Sequence, residues 1–262
     1  MKIQKAVCFL GILWLGIAGL AGADVGADAG ADAGADVGAD VLTDDTARVA
    51  IETKLEKKNI ITNGGGPQVE VEEGVATLTG NVQSLWAKNE AIELALNVEG
   101  VDTVEDKLEI AFAESDKGVG EAVAKVVLRY VHFTIYDDVN VGVDDGNVVL
   151  TGRVTMPFKS DEIESRVSRV MGVQSLTNEI ETLPTSIGDA RIRANLAYRI
   201  YRDALFQRYA FRVNPPVHII VERGNVALTG AVNTEVEKRK AELIARSTFG
   251  VFKVENRLTV GD

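Results

Sequence analysis

The chain reads as an α+β protein built from three tandem αββαβ units, each a three-stranded mixed sheet covered on one face by two helices. Three observations lead there. A seven-residue stretch recurs in register: Gly74-Val75-Ala76-Thr77-Leu78-Thr79-Gly80, Gly146-Asn147-Val148-Val149-Leu150-Thr151-Gly152 and Gly224-Asn225-Val226-Ala227-Leu228-Thr229-Gly230. Twenty residues after each closing glycine stands a Gly-Val pair: Gly100-Val101, Gly172-Val173 and Gly250-Val251. Eight residues beyond that glycine comes a branched apolar residue, Leu108, Ile180 or Leu258. Spacings held across three copies mark internal repeats. The 262 residues therefore carry three units of about 70 residues rather than one large domain.

The elements follow in the same order in each copy. A first helix opens at Thr43-Asp44-Asp45, at Ser115-Asp116 and at Ser186 with Asp189, residues that suit helix N-termini. Its apolar marks are Val49, Ile51 and Leu55, then Ala122, Val126 and Arg129, then Ile192, Leu196 and Ile200. Strict alternation follows at Val69 and Val71, at Val139, Val141 and Val143, and at Val217, Ile219 and Val221, the pattern of half-buried strands. A glycine turn, clearest at Asp145-Gly146, joins each to a second strand as a hairpin. The glycine closing that second strand (Gly80, Gly152, Gly230) marks a bulge or a close contact with a helix.

Residues 84–98, 157–170 and 234–248 then read as amphipathic helices, the second with Pro157 in its first turn. Gly100, Gly172 and Gly250 are expected to cap their C-termini. A last strand carries Val101 and Val104, Val173 and Leu176, or Val251 and Val254. It is expected to run parallel to the second strand through a right-handed crossover.

The G-x-V-x-L-x-G strand, the twenty-residue step to Gly-Val and the following Val104-Glu105-Asp106, Leu176-Thr177-Asn178 and Val254-Glu255-Asn256 together resemble the BON domain. The resemblance covers residues 44–262. It implies an exported cell-envelope protein that is not an enzyme, linked to osmotic or envelope stress. It also implies association with phospholipid or chaperone-like help to other envelope proteins. The family has no catalytic motif to carry over. Its best-understood members have two such domains, whereas this chain has three copies.

The termini and the charges set the context. Lys2 and Lys5, the apolar run Ala6 to Leu20 and Ala21-Gly22-Ala23 have the layout of an export signal over residues 1–23. The run is also long enough to just span a bilayer, so an uncleaved anchor is the alternative. Residues 24–42 follow as a Gly-Ala-Asp tether, acidic and without large residues to bury, expected to be flexible. Units are then expected at 43–112, 113–183 and 184–262. The sole cysteine, Cys8, lies in the signal, which leaves a mature chain without disulfides or thiol chemistry. The formal charge of −11 is uneven: residues 44–112 carry −8, residues 113–183 carry −5 and residues 184–262 carry +5. A basic third copy on an acidic chain points to an anionic partner or to docking on acidic neighbours.

Neither His132 nor His218 has acidic or cysteine neighbours at metal-ligand spacing, and His218, between Val217 and Ile219, should face solvent. No catalytic residue, metal site or cofactor is indicated. The one departure from the repeat is the third copy, where Leu196 to Ile219 is longer than its counterparts and rich in Tyr and Arg. A helix running unbroken to Tyr209 would bury Ile192, Leu196, Ile200 and Ala204. It would turn Tyr198, Tyr201, Leu205 and Tyr209 outward beside Arg191, Arg202 and Arg208. Such a face suits a bilayer interface or an envelope protein as partner. A periplasmic protein binding anionic phospholipid peripherally through its third unit is expected, with a soluble stress-induced chaperone or interaction module as the alternative. The export signal argues against nucleic acid.

Overall fold

The computed structural model describes residues 37–61, 65–111 and 115–261. The expected export signal and most of the Gly-Ala-Asp tether lie outside them. The chain falls into two packing units, one holding copy one and the other copies two and three.

Copy one comprises α1 (Val37–Lys57), β1 (Gln68–Glu72), β2 (Val75–Val82), α2 (Leu85–Leu96) and β3 (Thr103–Ile110). Copy two repeats it with α3 (Asp116–Leu128), β4 (Asp138–Asp144), β5 (Asn147–Val154), α4 (Pro157–Val167) and β6 (Ser175–Thr182). Copy three has α5 (Ile187–Arg202), a short α6 (Gln207–Ala210), β7 (Val217–Glu222), β8 (Asn225–Val232), α7 (Glu235–Arg246), β9 (Lys253–Asn256) and β10 (Thr259–Val260). Each sheet has an antiparallel hairpin, and the third strand is parallel to the second. In copy three that third strand is split into β9 and β10, both paired with β8.

The recurrent motif is the core strand. Ala76 and Leu78, Val148 and Leu150, and Val226 and Leu228 are buried in their sheets. In copy one, α2 presents Ala87, Ala91 and Ala95 inward, small side chains that let helix and sheet approach closely. The Asp or Asn six residues after Gly100, Gly172 or Gly250 also has a structural task. Asp106, Asn178 and Asn256 accept from the backbone N–H two residues on, at Leu108 (3.0 Å), Ile180 (3.1 Å) and Leu258 (3.3 Å). The same side chains tie the strand to the preceding helix, through Lys88 at 2.9 Å, Ser160 Oγ at 3.0 Å and the Lys238 carbonyl at 2.9 Å.

The hairpin turns are of the type that needs positive φ at both central residues. Glu73 and Gly74 have φ of 48° and 76°, Asp145 and Gly146 48° and 74°, and Arg223 and Gly224 49° and 76°. A carboxylate from the first helix holds each turn, from the first turn of α3 and α5 and from two turns inside α1. Asp44 accepts from Glu73 N–H (3.0 Å), Asp116 from Asp145 and Gly146 N–H (3.1 and 2.9 Å), and Asp189 from Arg223 and Gly224 N–H (2.9 and 2.9 Å).

Several sequence expectations are corrected. Helix α1 begins at Val37, so residues 37–42 of the expected flexible tether are helical, because extending a formed helix costs far less than nucleating one. The buried stripe of α1 is Ala47, Ile51 and Leu55, with Val49 exposed. In α3 it is Val119, Val123 and Val127, rather than Ala122, Val126 and Arg129. A valine-rich helix carries more than one apolar stripe, and the sheet it packs on selects one. Gly100, Gly172 and Gly250 lie in the turns beyond helices that already end at Leu96, Val167 and Arg246, so they enter the strand rather than cap the helix. Gly80, Gly152 and Gly230 are required by the neighbouring hairpin strand, not by a helix. A Cβ at Gly152 or Gly230 would overlap the carbonyl oxygen of Asp138 or Pro216.

Copies two and three are joined through β7. Val217, His218, Ile219, Ile220 and Val221 are all buried, because copy two covers the side that alternation assigned to solvent. Ile219 N–H donates to the Ile135 carbonyl (2.7 Å), and His218 Nδ1 bonds the Asp137 carbonyl (2.6 Å), so His218 does not face solvent. Tyr136 packs on the core of copy three. Behind this seam Asp137 is fully buried and accepts from Thr134 N–H (2.8 Å) and Oγ1 (2.7 Å), Thr155 N–H (2.8 Å) and Oγ1 (2.8 Å), and Lys159 Nζ (2.7 Å). Burial pushes the Asp137 carboxyl up, but bonds from Lys159, Thr155 and Thr134 outweigh it and hold it below the usual carboxylate range.

Candidate functional site

The candidate residues of copy three begin on α5. Ser186 caps this helix by accepting from Asp189 N–H at 3.2 Å, and Ile192, Leu196 and Ile200 bury its inner stripe. The helix does not run on to Tyr209. Its C-cap Asp203 is extended, with φ −69° and ψ 139°. The Asp203 carboxylate accepts from Leu205 N–H (3.1 Å) and pairs with Lys240 (3.3 Å). A side chain that bonds nearby backbone competes with helix continuation. Past this break Phe206 and Tyr209 enter the core, and Ala204, expected inside, is exposed.

The seven candidate residues therefore do not share one face. Tyr209 is fully buried, and its hydroxyl donates to Glu237 at 3.0 Å. Tyr201 is half-buried, packs on the core and donates to the Val217 carbonyl at 2.6 Å. Burial pushes the Tyr201 hydroxyl well up. Arg208 is partly exposed but paired with Glu237. Arg191 is exposed near the start of α5, eleven residues from Arg202 and so roughly 16 Å away along the helix.

Tyr198 and Arg202 remain together at the C-terminal end of α5, and Leu205 is exposed just past the break at Asp203. Tyr198 is 60% exposed and Leu205 39%. Arg202 bonds the Tyr198 hydroxyl and lies over its ring, 5.1 Å from the centroid. The loop after α6 adds exposed residues not picked out from sequence. Phe211 is 91% exposed and Val213 101%, on either side of Arg212, which lies 5.3 Å from the Tyr209 ring centroid. Among the described residues neither Arg202 nor Arg212 forms an ion pair. Asn214 ties the loop to the Leu128 carbonyl of copy two. The only sequence signal for this loop was its placement between the Tyr/Arg-rich stretch and Pro215-Pro216.

Glu237 anchors the region from beneath. It closes the capping box of α7 with Thr234 and accepts from Asn233 N–H at 2.8 Å. Burial pushes its carboxyl up, and bonds from Asn233, Tyr209, Arg208 and Thr234 bring it below its ordinary value. Among the described residues no group of three or more His, Cys, Asp or Glu is placed to hold a metal ion. No described helix is long and apolar enough to cross a membrane.

The repeated frame is matched by the BON domain model three times, over residues 43–111, 115–184 and 189–262. The chain belongs to the BON family. A relative, Osmotically-inducible protein Y of Escherichia coli, is 33% identical over 121 residues, 44% of this chain and 60% of that protein. The match thus spans less than two thirds of that relative's length. Among solved structures, the C-terminal domain of CdsD, a structural protein of the type III secretion system of Chlamydia trachomatis, is 15% identical. It covers 82% of this chain and 96% of that one at a TM-score of 0.24. The PrgH periplasmic domain is 10% identical and covers 75% and 95% of the two chains at 0.21. Scores this low carry no argument for the present BON protein.

Proposed function

We propose that this BON protein is a non-enzymatic, exported periplasmic protein of the envelope stress response, whose third domain docks on anionic phospholipid. Membership of the BON family and the likeness to a relative named as osmotically inducible support the setting. The observation that carries the lipid reading is the loop Phe211-Arg212-Val213, with side chains 91% and 101% exposed at its two apolar positions. Tyr198, Arg202 and Leu205 are near it in sequence and alike in chemistry, and among the described residues no carboxylate pairs with Arg202 or Arg212. Apolar side chains at headgroup depth flanked by guanidinium groups suit an anionic interface. Each such cation contributes about 1 kcal/mol near the surface, and each apolar side chain a further ~1.5–3 kcal/mol when fully buried. Removal of Lys2 and Lys5 with the signal leaves a net charge of −13, so attachment must be local, oriented, reversible and weakened by salt.

The test is flotation of residues 24–262 with anionic and with zwitterionic vesicles at low and moderate salt. Co-flotation is expected with anionic vesicles alone, reduced by salt and lost on Phe211→Ser with Val213→Ser. Absence of flotation under every condition refutes lipid docking. A soluble client-binding role is the second reading, favoured by the exposed Leu128, Val131, Met156 and Phe158 of copy two.

A further inference from the structure

Each copy has a tip made of the hairpin turn, the first-helix carboxylate that clamps it (Asp44, Asp116 or Asp189) and the turn into the last strand. The three tips have nearly the same backbone. The first turn residues, Glu73, Asp145 and Arg223, have φ of 48°, 48° and 49°, and the later glycines, Gly100, Gly172 and Gly250, have 89°, 89° and 87°. What differs is the chemistry at three equivalent positions. Copy one has Glu73, Glu99 and Asp102, all exposed. Copy two has Asp145, Met171 and Gln174. Copy three has Arg223, Phe249 and Phe252.

The tip of copy three leaves large apolar groups in water. Phe249 is 95% exposed, Phe252 84% and Ile187, at the start of α5, 74%. The Phe252 ring lies against Gly224, where an added Cβ would run into it, and Phe252 N–H donates to the Gly224 carbonyl at 2.9 Å. The aromatic pair is thus set on a clamped turn rather than on a loose loop. Arg223 precedes the Gly224 that meets Phe252, and Arg191 stands one helical turn after Ile187 on α5; both are exposed. The described residues leave most of this cluster uncovered, and an exposed apolar patch beside charge marks a contact surface.

We propose that the aromatic, basic tip of copy three docks on the acidic tip of copy one in a second chain. Two guanidinium groups meet three carboxylates presented on a frame of the same backbone geometry, and the two phenylalanine rings and Ile187 supply the apolar centre. The choice of a second chain rests on this complementarity, with +5 in residues 184–262 against −8 in residues 44–112. Different surfaces meet, so the contact is head-to-tail and does not close on itself with two chains. Two aromatic side chains and one isoleucine bury on the order of 500 Å² per side, below a standard interface, so association is weak and concentration-dependent.

The experiment is sedimentation velocity on residues 24–262 across a range of concentrations at low and moderate salt. Mass is expected to grow with concentration past the dimer, and salt should reduce it. Phe249→Ser with Phe252→Ser should weaken association by at least about tenfold, and Arg223→Glu should weaken it too. Mixing the Arg223→Glu chain with a Glu73→Arg, Glu99→Lys chain should give stronger association than the Arg223→Glu chain shows alone. These positions are exposed, and an unchanged circular dichroism spectrum checks the fold. A monomer at every concentration overturns the proposal, as does association indifferent to these substitutions or a mixture that stays apart. Loss of vesicle flotation on Phe249→Ser with Phe252→Ser, without self-association of the parent chain, assigns the tip to a membrane instead.

Discussion

Asp137 is the side chain whose removal should most damage the second and third domains. Its carboxylate is fully buried and receives five hydrogen bonds, one of them from Lys159, whose own side chain is 6% exposed. In Asp137→Ala the threonine groups can turn to one another or to water, but among the described residues Lys159 has no other carboxylate partner. Breaking a buried pair by deleting one partner costs about 3–5 kcal/mol, a large share of the roughly 5–15 kcal/mol that holds a domain folded. With a urea m-value of about 2 kcal/mol/M, the unfolding midpoint should fall by about 2 M. The carbonyl of Asp137 bonds His218, and the neighbouring Ile135 carbonyl bonds Ile219, so damage should cross into copy three. Amide exchange at Ile219 is therefore expected to accelerate together with the change in midpoint. Urea unfolding followed by circular dichroism, with hydrogen exchange at Ile219, tests both parts. A midpoint lowered by less than about 0.5 M, or an unchanged Ile219 amide, refutes the view that this carboxylate organises the seam.

Asp189→Ala removes both clamps on the Arg223-Gly224 turn and should cost about 1.5–3 kcal/mol, seen as a lower urea midpoint and faster exchange at Gly224. Gly230→Ala places a Cβ against the Pro216 carbonyl at φ 99° and should prevent normal folding of copy three, read by amide protection in β8. Gly120→Ala, in α3 with only Val143 Cγ2 at 3.6 Å, should instead stabilise by about 0.5–1 kcal/mol. Glu237 titrates below its ordinary value when folded, so its stabilisation is present above its unfolded pKa of about 4.3 and is lost as pH falls through the folded value. The urea midpoint should drop on acidification through that window, and Glu237→Gln should flatten part of the drop; identical pH profiles would contradict the assignment.

The repeat spacing was enough to place the three units and the order of their elements, because a motif fixed by period is a local property of the chain. The strand residues Val148, Leu150, Val226 and Leu228, and the hairpin at Asp145-Gly146, were legible for the same reason: alternation and turn chemistry act between neighbours. The helix faces of α1 and α3 were less so, since several apolar stripes compete and only the opposing sheet selects one.

Beyond that, tertiary packing decided. His218 lies on the outward side of an alternating strand, and only the cover of copy two turns that side into an interior. Asp137 and Lys159 stand far apart in sequence and match no motif, so their pairing exists only once β4 and α4 are brought together. The outward tyrosine face read along an unbroken helix was lost at Asp203, where one carboxylate bonds the backbone ahead and Lys240 beside it. Tyr201 and Tyr209 then follow the chain inward, and Phe211 and Val213 are left outside. Sequence periodicity therefore determined what this BON protein is built from. Long-range burial, which depends on contacts between residues far apart in the chain, determined which of its side chains are left exposed.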